Sequence, residues 1–111
     1  MTDSPAPVNS IIHYTLANHT DRLVFTDPCP GAFAEQLQPD DSWLRVWSTL
    51  TWDECAASFI APGELHPGAT LTSRSGPTFA EPGMYRIGLL VTQNLTSWPA
   101  KPVYSNVFEV R

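Results

Sequence analysis

Apolar residues recur at every second position over short runs of this 111-residue chain, and clusters of turn-forming residues separate the runs. Alternation of this period puts successive side chains on opposite sides of the backbone, so each run reads as a half-buried strand of an antiparallel sheet. In "VNSIIHYTL" the residues Ile12, Tyr14 and Leu16 share one face, Ile11, His13 and Thr15 share the other, and "NHTD" then turns the chain. "RLVFT" aligns Leu23 with Phe25 before the breaker cluster "DPCPG" ends the run. "SWLRVWS" admits two readings, with either Trp43 and Trp47 or Leu44 and Val46 inward, and Trp52 follows just beyond it. "ATLTS" reads as an outer strand. The clearest run is "MYRIGLLVT", with Tyr85, Ile87, Leu89 and Val91 on one face, and the last, "VYSNVFEV", puts Phe108 and Val110 in step across a bulge at "SN".

Eleven prolines and six glycines leave almost no window for a helix of average length, so the fold is predicted to be all-β. About seven strands with turns at this spacing predict an antiparallel β-sandwich. Residues 1–7, rich in Pro and Ser, read as a flexible N-terminal segment, and residues 8–111 as a single domain.

The stretch "EPGMYRI" narrows the type of sandwich. In immunoglobulin-type domains a turn of the form Asp-x-Gly-x-Tyr-x-Cys opens the sixth strand, and the tyrosine hydroxyl bonds back to upstream backbone. Glu81, Gly83, Tyr85 and Ile87 occupy those four positions. Gly83 and Tyr85 are therefore expected to form the structural corner, while isoleucine replaces the bridging cysteine and implies a core closed by apolar packing. The expected architecture is a seven-stranded Ig-like or fibronectin-type antiparallel β-sandwich.

The only two cysteines, Cys29 and Cys55, flank the tryptophan-rich strand. A disulfide between them is expected and would imply an oxidising compartment, while two unrelated buried thiols are the alternative. A bond closing the 27 residues from 29 through 55 is worth roughly 3.5 kcal/mol in the chain-entropy model.

Composition removes several classes of function. Hydrophobic residues at 42% against 15% charged are the balance of a packed domain rather than a disordered segment. A net charge of −5 and a pI near 4.9 argue against nucleic acid, whose phosphates require a clustered basic face. Six Lys and Arg spread from Arg22 to Arg111 give no basic stripe for an anionic membrane, and no apolar run is long enough for direct membrane insertion as a helix. "MTDSPAPVNS" lacks the cationic start and apolar centre of a signal peptide.

The pieces "YTLANHTDRLVF", "PC", "SWLRVW" with a later Cys, "APGE", "EPGMYRI" and "SNVFEV" follow one another over most of the chain. In this order they resemble bacterial Ig-like domains of surface proteins and lipoproteins, a group that also resembles the intracellular proteinase inhibitor domain of bacilli. The resemblance implies a sandwich appended to larger extracellular proteins and working without catalysis. "APGELHPGATL" departs from that pattern by its second Pro-Gly.

No catalytic residue, cofactor or metal site is expected. His13, His19 and His66 lack partners at ligand spacing, no Cys-x-x-Cys is present, and no serine stands in a Gly-x-Ser-x-Gly elbow. The acidic pairs in "PDDSW" and "WDEC" read as solvated turn residues, and the sequons "NHT" and "NLT" as chance. Trp98, on the proline-bounded loop "TQNLTSWPAKP", is expected with Lys101 and Tyr104 to form the contact surface for a protein partner. The function expected is a non-catalytic interaction or spacer domain at the cell surface or in the periplasm, or in the cytoplasm if the cysteines are free. A proteinase inhibitor and a carbohydrate-binding module using an exposed Trp are the alternatives.

Overall fold

The structure, a computed structural model, describes residues 5–26, 31–49, 63–73, 76–93 and 101–111. Cys29, Trp52, Cys55 and Trp98 lie outside the described residues. Strands are the only regular elements among those described: β1 (Thr15–Ala17), β2 (Val24–Thr26), β3 (Ala32–Leu37), β4 (Trp43–Ser48), β5 (Gly63–Leu65), β6 (Thr70–Thr72), β7 (Gly83–Thr92), β8 (Lys101–Tyr104) and β9 (Phe108–Val110). Every strand pairing is antiparallel.

β7 is the axis of the larger sheet. Leu89 pairs with Ala32 of β3 on one edge and Val103 of β8 on the other, while Val91 pairs with Thr26 of β2 and Lys101 of β8. β2 and β3 therefore lie end to end along one edge of β7. Tyr85 likewise pairs with Gln36 of β3 and Phe108 of β9, so β8 and β9 share the other edge. Between them Ser105 N–H still bonds Ile87 at 2.7 Å, after which the register slips by one residue, which is the bulge expected at "SN". β4 adds outside β3, and β5 outside β2.

A second layer is built on β1 and β6. The ladder continues past their ends through Tyr14 with Ser73, Ile12 with Pro77 and Asn9 with Phe79. At Ile12 the two backbones come so close that a Cβ on Gly76 would lie 1.8 Å from the Ile12 carbonyl oxygen. At the opposite end the buried Asn18 fixes the turn into β2. Its amide nitrogen donates to the carbonyls of Arg22 and Leu65 at 2.7 and 2.8 Å, and its oxygen accepts from the N–H and hydroxyl of Thr20. The Asn-x-Thr of "NHT" thus has a structural use in closing this turn. The second Pro-Gly of "APGELHPGATL" turns β5 into β6, with Ala69 N–H bonding His66 O at 3.0 Å.

The core lies between the layers and is assembled from Ala34, Phe79, Tyr85, Ile87 and Val110, with Ile12, Tyr14, Trp47 and Phe108 packed around them. Alternation in the first and seventh strands puts the expected side chains inward. The tryptophan-rich strand is different: Trp47 reaches the core, whereas Trp43 lies on the other side of the sheet. Strict alternation would keep residues 43 and 47 together, but Ala34 pairs with Trp47 and Glu35 with Arg45, leaving Val46 as the extra residue of a bulge. That one residue reverses which face the following side chains occupy.

The corner expected of "EPGMYRI" is formed, because the Tyr85 hydroxyl donates to the Glu81 carbonyl at 2.7 Å. Burial of the ring, and secondarily the Glu81 carboxylate, holds the phenol pKa above its ordinary value of 10.0, so it stays a donor. The "PDDS" acids form a hairpin turn in which Asp40 accepts from both the hydroxyl and the N–H of Ser42, which lowers its pKa. At the start of the chain Ala6 bridges Val110 in parallel, with Ala6 N–H on Glu109 O and Arg111 N–H on Ala6 O, both at 2.9 Å.

Gly76→Ala must force the second-layer ladder apart at Ile12. We expect a loss of about 3 kcal/mol, at the upper end of ordinary substitutions, measured by urea denaturation; an unchanged midpoint would show that the close approach is dispensable.

Candidate functional site

Because Tyr85 and Ile87 turn into the core, Arg86 and Gly88 must turn outward from β7. Arg86 is the only charged side chain on that strand. Its cross-strand partner is Glu35, and both Nη2 and Nε reach the same carboxylate oxygen, Oε1, at 2.7 and 2.8 Å. The guanidinium also lies over two rings, with its carbon 4.2 Å from the centroid of Trp43 and 3.8 Å from that of Tyr104. Trp43 comes from β4, Glu35 from β3, Arg86 from β7 and Tyr104 from β8, so one arginine ties together four adjacent strands.

A second cation–ring contact lies beside the first. Phe33 shares the outward face yet is only 1% exposed. Its ring crosses Gly88, where a Cβ would lie 2.4 Å from the ring, and Arg45 covers it at 4.1 Å while Tyr104 meets it edge-on at 6.1 Å. The absence of a side chain at Gly88 lets the phenylalanine lie flat enough to be covered. Each such cation–ring contact contributes on the order of 0.5–2 kcal/mol, depending on how dry it is.

The result is an outward face of Trp43, Arg45, Arg86 and Tyr104 whose side chains hold one another in place. Cations occupy ring faces that would otherwise be open for stacking. Nothing in this set is a nucleophile or general base in a cleft, and no three His, Cys, Asp or Glu side chains gather at metal-binding distance among the described residues. What such a face can do is present aromatic and guanidinium groups with little conformational freedom left to lose.

Of the three residues read from sequence as a contact surface, the two described, Lys101 and Tyr104, lie on opposite faces of β8. Tyr104, 39% exposed, belongs to the outward face. Lys101 pairs with Val91, on the inward side of β8, and lines a cavity of about 540 Å³ between the layers. Trp98 lies outside the described residues, as do Cys29 and Cys55. His13, His19 and His66 are all exposed. Sequence reasoning missed Arg86, Glu35 and Trp43, although a lone charge inside the apolar strand "YRIGLLV" is a usable signal that a partner waits across the sheet.

The chain matches no protein-family model, no curated protein and no solved structure.

The Arg86 and Glu35 side chains are 22% and 13% exposed, between the surface and buried regimes of ion pairs. Arg86→Leu should therefore cost about 2 kcal/mol, Glu35→Gln less, and the double variant less than the sum. A denaturation double-mutant cycle measures this, and strict additivity would mean the pair has no coupling.

Proposed function

We propose that this chain is a non-catalytic Ig-like interaction domain, exported to the cell surface or periplasm, that engages a protein partner through the outward face of β4, β3, β7 and β8. The observation that carries the reading is the Arg86 guanidinium held between Trp43 and Tyr104. Trp, Tyr and Arg are the residue types that dominate binding energy at protein interfaces, and side chains already fixed by stacking lose less entropy on binding. A spacer alone would have no use for such a set on a solvent-facing sheet.

Three features support the Ig-like type. Treating β2 with β3 and β8 with β9 as single interrupted strands reduces nine segments by two, to seven. The tyrosine corner opens β7 as it opens the sixth strand of such domains. The two layers bury their shared core between alternating inward residues, as in a sandwich.

Two measurements test the proposal. A photoreactive amino acid replacing Met84, exposed on the outward face, should crosslink a discrete protein in cells that produce the chain, and Trp43→Ala with Tyr104→Ala should abolish the adduct. The same group replacing Leu71 on β6 should give none; adducts at Leu71 alone, or at neither position, would remove the face from consideration. Export predicts a Cys29–Cys55 disulfide, read as an intact-mass change on reduction and alkylation, whereas two alkylatable thiols in the folded protein would return the domain to the cytoplasm.

A further inference from the structure

The cavity that Lys101 lines is separate from the outward face and has a different character. Its apolar walls come from both layers: Leu16 of β1 on one, and Val24 of β2, Leu65 of β5, Val91 of β7 and Val103 of β8 on the other. At about 540 Å³ it falls within the range of pockets that enclose small organic ligands.

The charged lining has one sign. Arg22 and Lys101 both contribute, His19 stands with them, and no Asp or Glu lines the space among the described residues. The protein carries a net charge of −5 and has only six Lys and Arg, so a cavity whose described lining holds two of the six and no carboxylate runs against its overall balance. Neither Arg22 nor Lys101 forms an ion pair among the described residues.

The wall bearing Arg22 is held in advance. Asn18, itself only 4% exposed and part of the lining, donates to the Arg22 carbonyl and to Leu65 and accepts twice from Thr20. Its polar atoms are fully engaged within the protein and leave no bonding demand on the apolar floor. Among the described residues, the lining's charged groups without an ion-pair partner are cations, and its remaining surface is largely aliphatic.

From this we infer that the cavity binds a small anionic amphiphile, a free monocarboxylate whose aliphatic body of about ten carbons lies against Leu16, Leu65 and Val103 while its carboxylate meets Arg22 and Lys101. Charge-assisted hydrogen bonds to the two cations supply selectivity for the anion, and apolar burial supplies the rest. This goes beyond the partner-binding face and does not depend on it.

The test is calorimetric titration of the intact chain with sodium decanoate below its aggregation concentration, alongside decanol and decyltrimethylammonium. Decanoate should bind at one site, about tenfold or more tighter than decanol, with no saturable binding of the cation. Lys101→Gln and Arg22→Gln should each weaken decanoate about tenfold and leave decanol unchanged, while Lys101→Arg retains binding. Methyl resonances of Leu65, Val91 and Val103 should shift in the same titration. Equal affinity for decanoate and decanol, no response to either glutamine variant, shifts confined to other residues, or no saturable decanoate binding would each overturn the inference.

Discussion

A ten-residue strand hydrogen-bonded along both edges has no freedom of register, because sliding it by one residue would exchange every inward side chain for its outward neighbour. β7 is in that position. Its inward set, Tyr85, Ile87 and Leu89, is apolar, and its outward set contains the single charge, Arg86. A slip would drive a guanidinium into the space between Ala34 and Phe79 and strip it of Glu35. The registers of β3 and β8 are fixed by the same choice, and β4 and β5 follow at one remove through β3 and β2. The core and the outward face are thus two sides of a single decision about one strand.

The other strands adapt to β7 by interruption. β8 and β9 absorb one extra residue near Ser105, and between β2 and β3 the chain advances six residues, from Thr26 to Ala32, while β7 moves two, from Val91 to Leu89. The bulge at Val46 has the largest effect on surface chemistry. It sends Trp47 to the core and leaves Trp43 for the arginine, so a strand with two identical side chains four apart uses one for stability and the other for the face.

The all-β character, the inward faces of the first and seventh strands, the tyrosine corner and the bulge at "SN" were legible because each rests on local periodicity or on a turn with its own chemistry. The face of the tryptophan-rich strand was not, since alternation assumes no bulge and only the partner strand reveals one. The stack on Arg86 draws on four strands whose contributing residues span 35 to 104, and no local pattern announces such a meeting. The cavity cations, Arg22 and Lys101, are similarly distant in the chain. Lys101 and Tyr104 were read together because they are close in sequence, yet an interval of three along a strand puts them on opposite faces.

Pro102 has a consequence of its own. Ser105 donates its N–H to the Ile87 carbonyl and accepts the Ile87 N–H on its hydroxyl, so by alternation Val103 and Lys101 bond to β7 while Pro102 and Tyr104 turn their backbone groups away from it. The outer edge of β8 is therefore missing one N–H at its middle, with a lysine at its end. A strand from another copy that tried to lengthen the sheet there would find a gap in the ladder and a charge to desolvate. Runaway edge-to-edge growth into fibrils is discouraged on this side, and the molecule can display an aromatic-rich sheet without that sheet recruiting its own kind through β8.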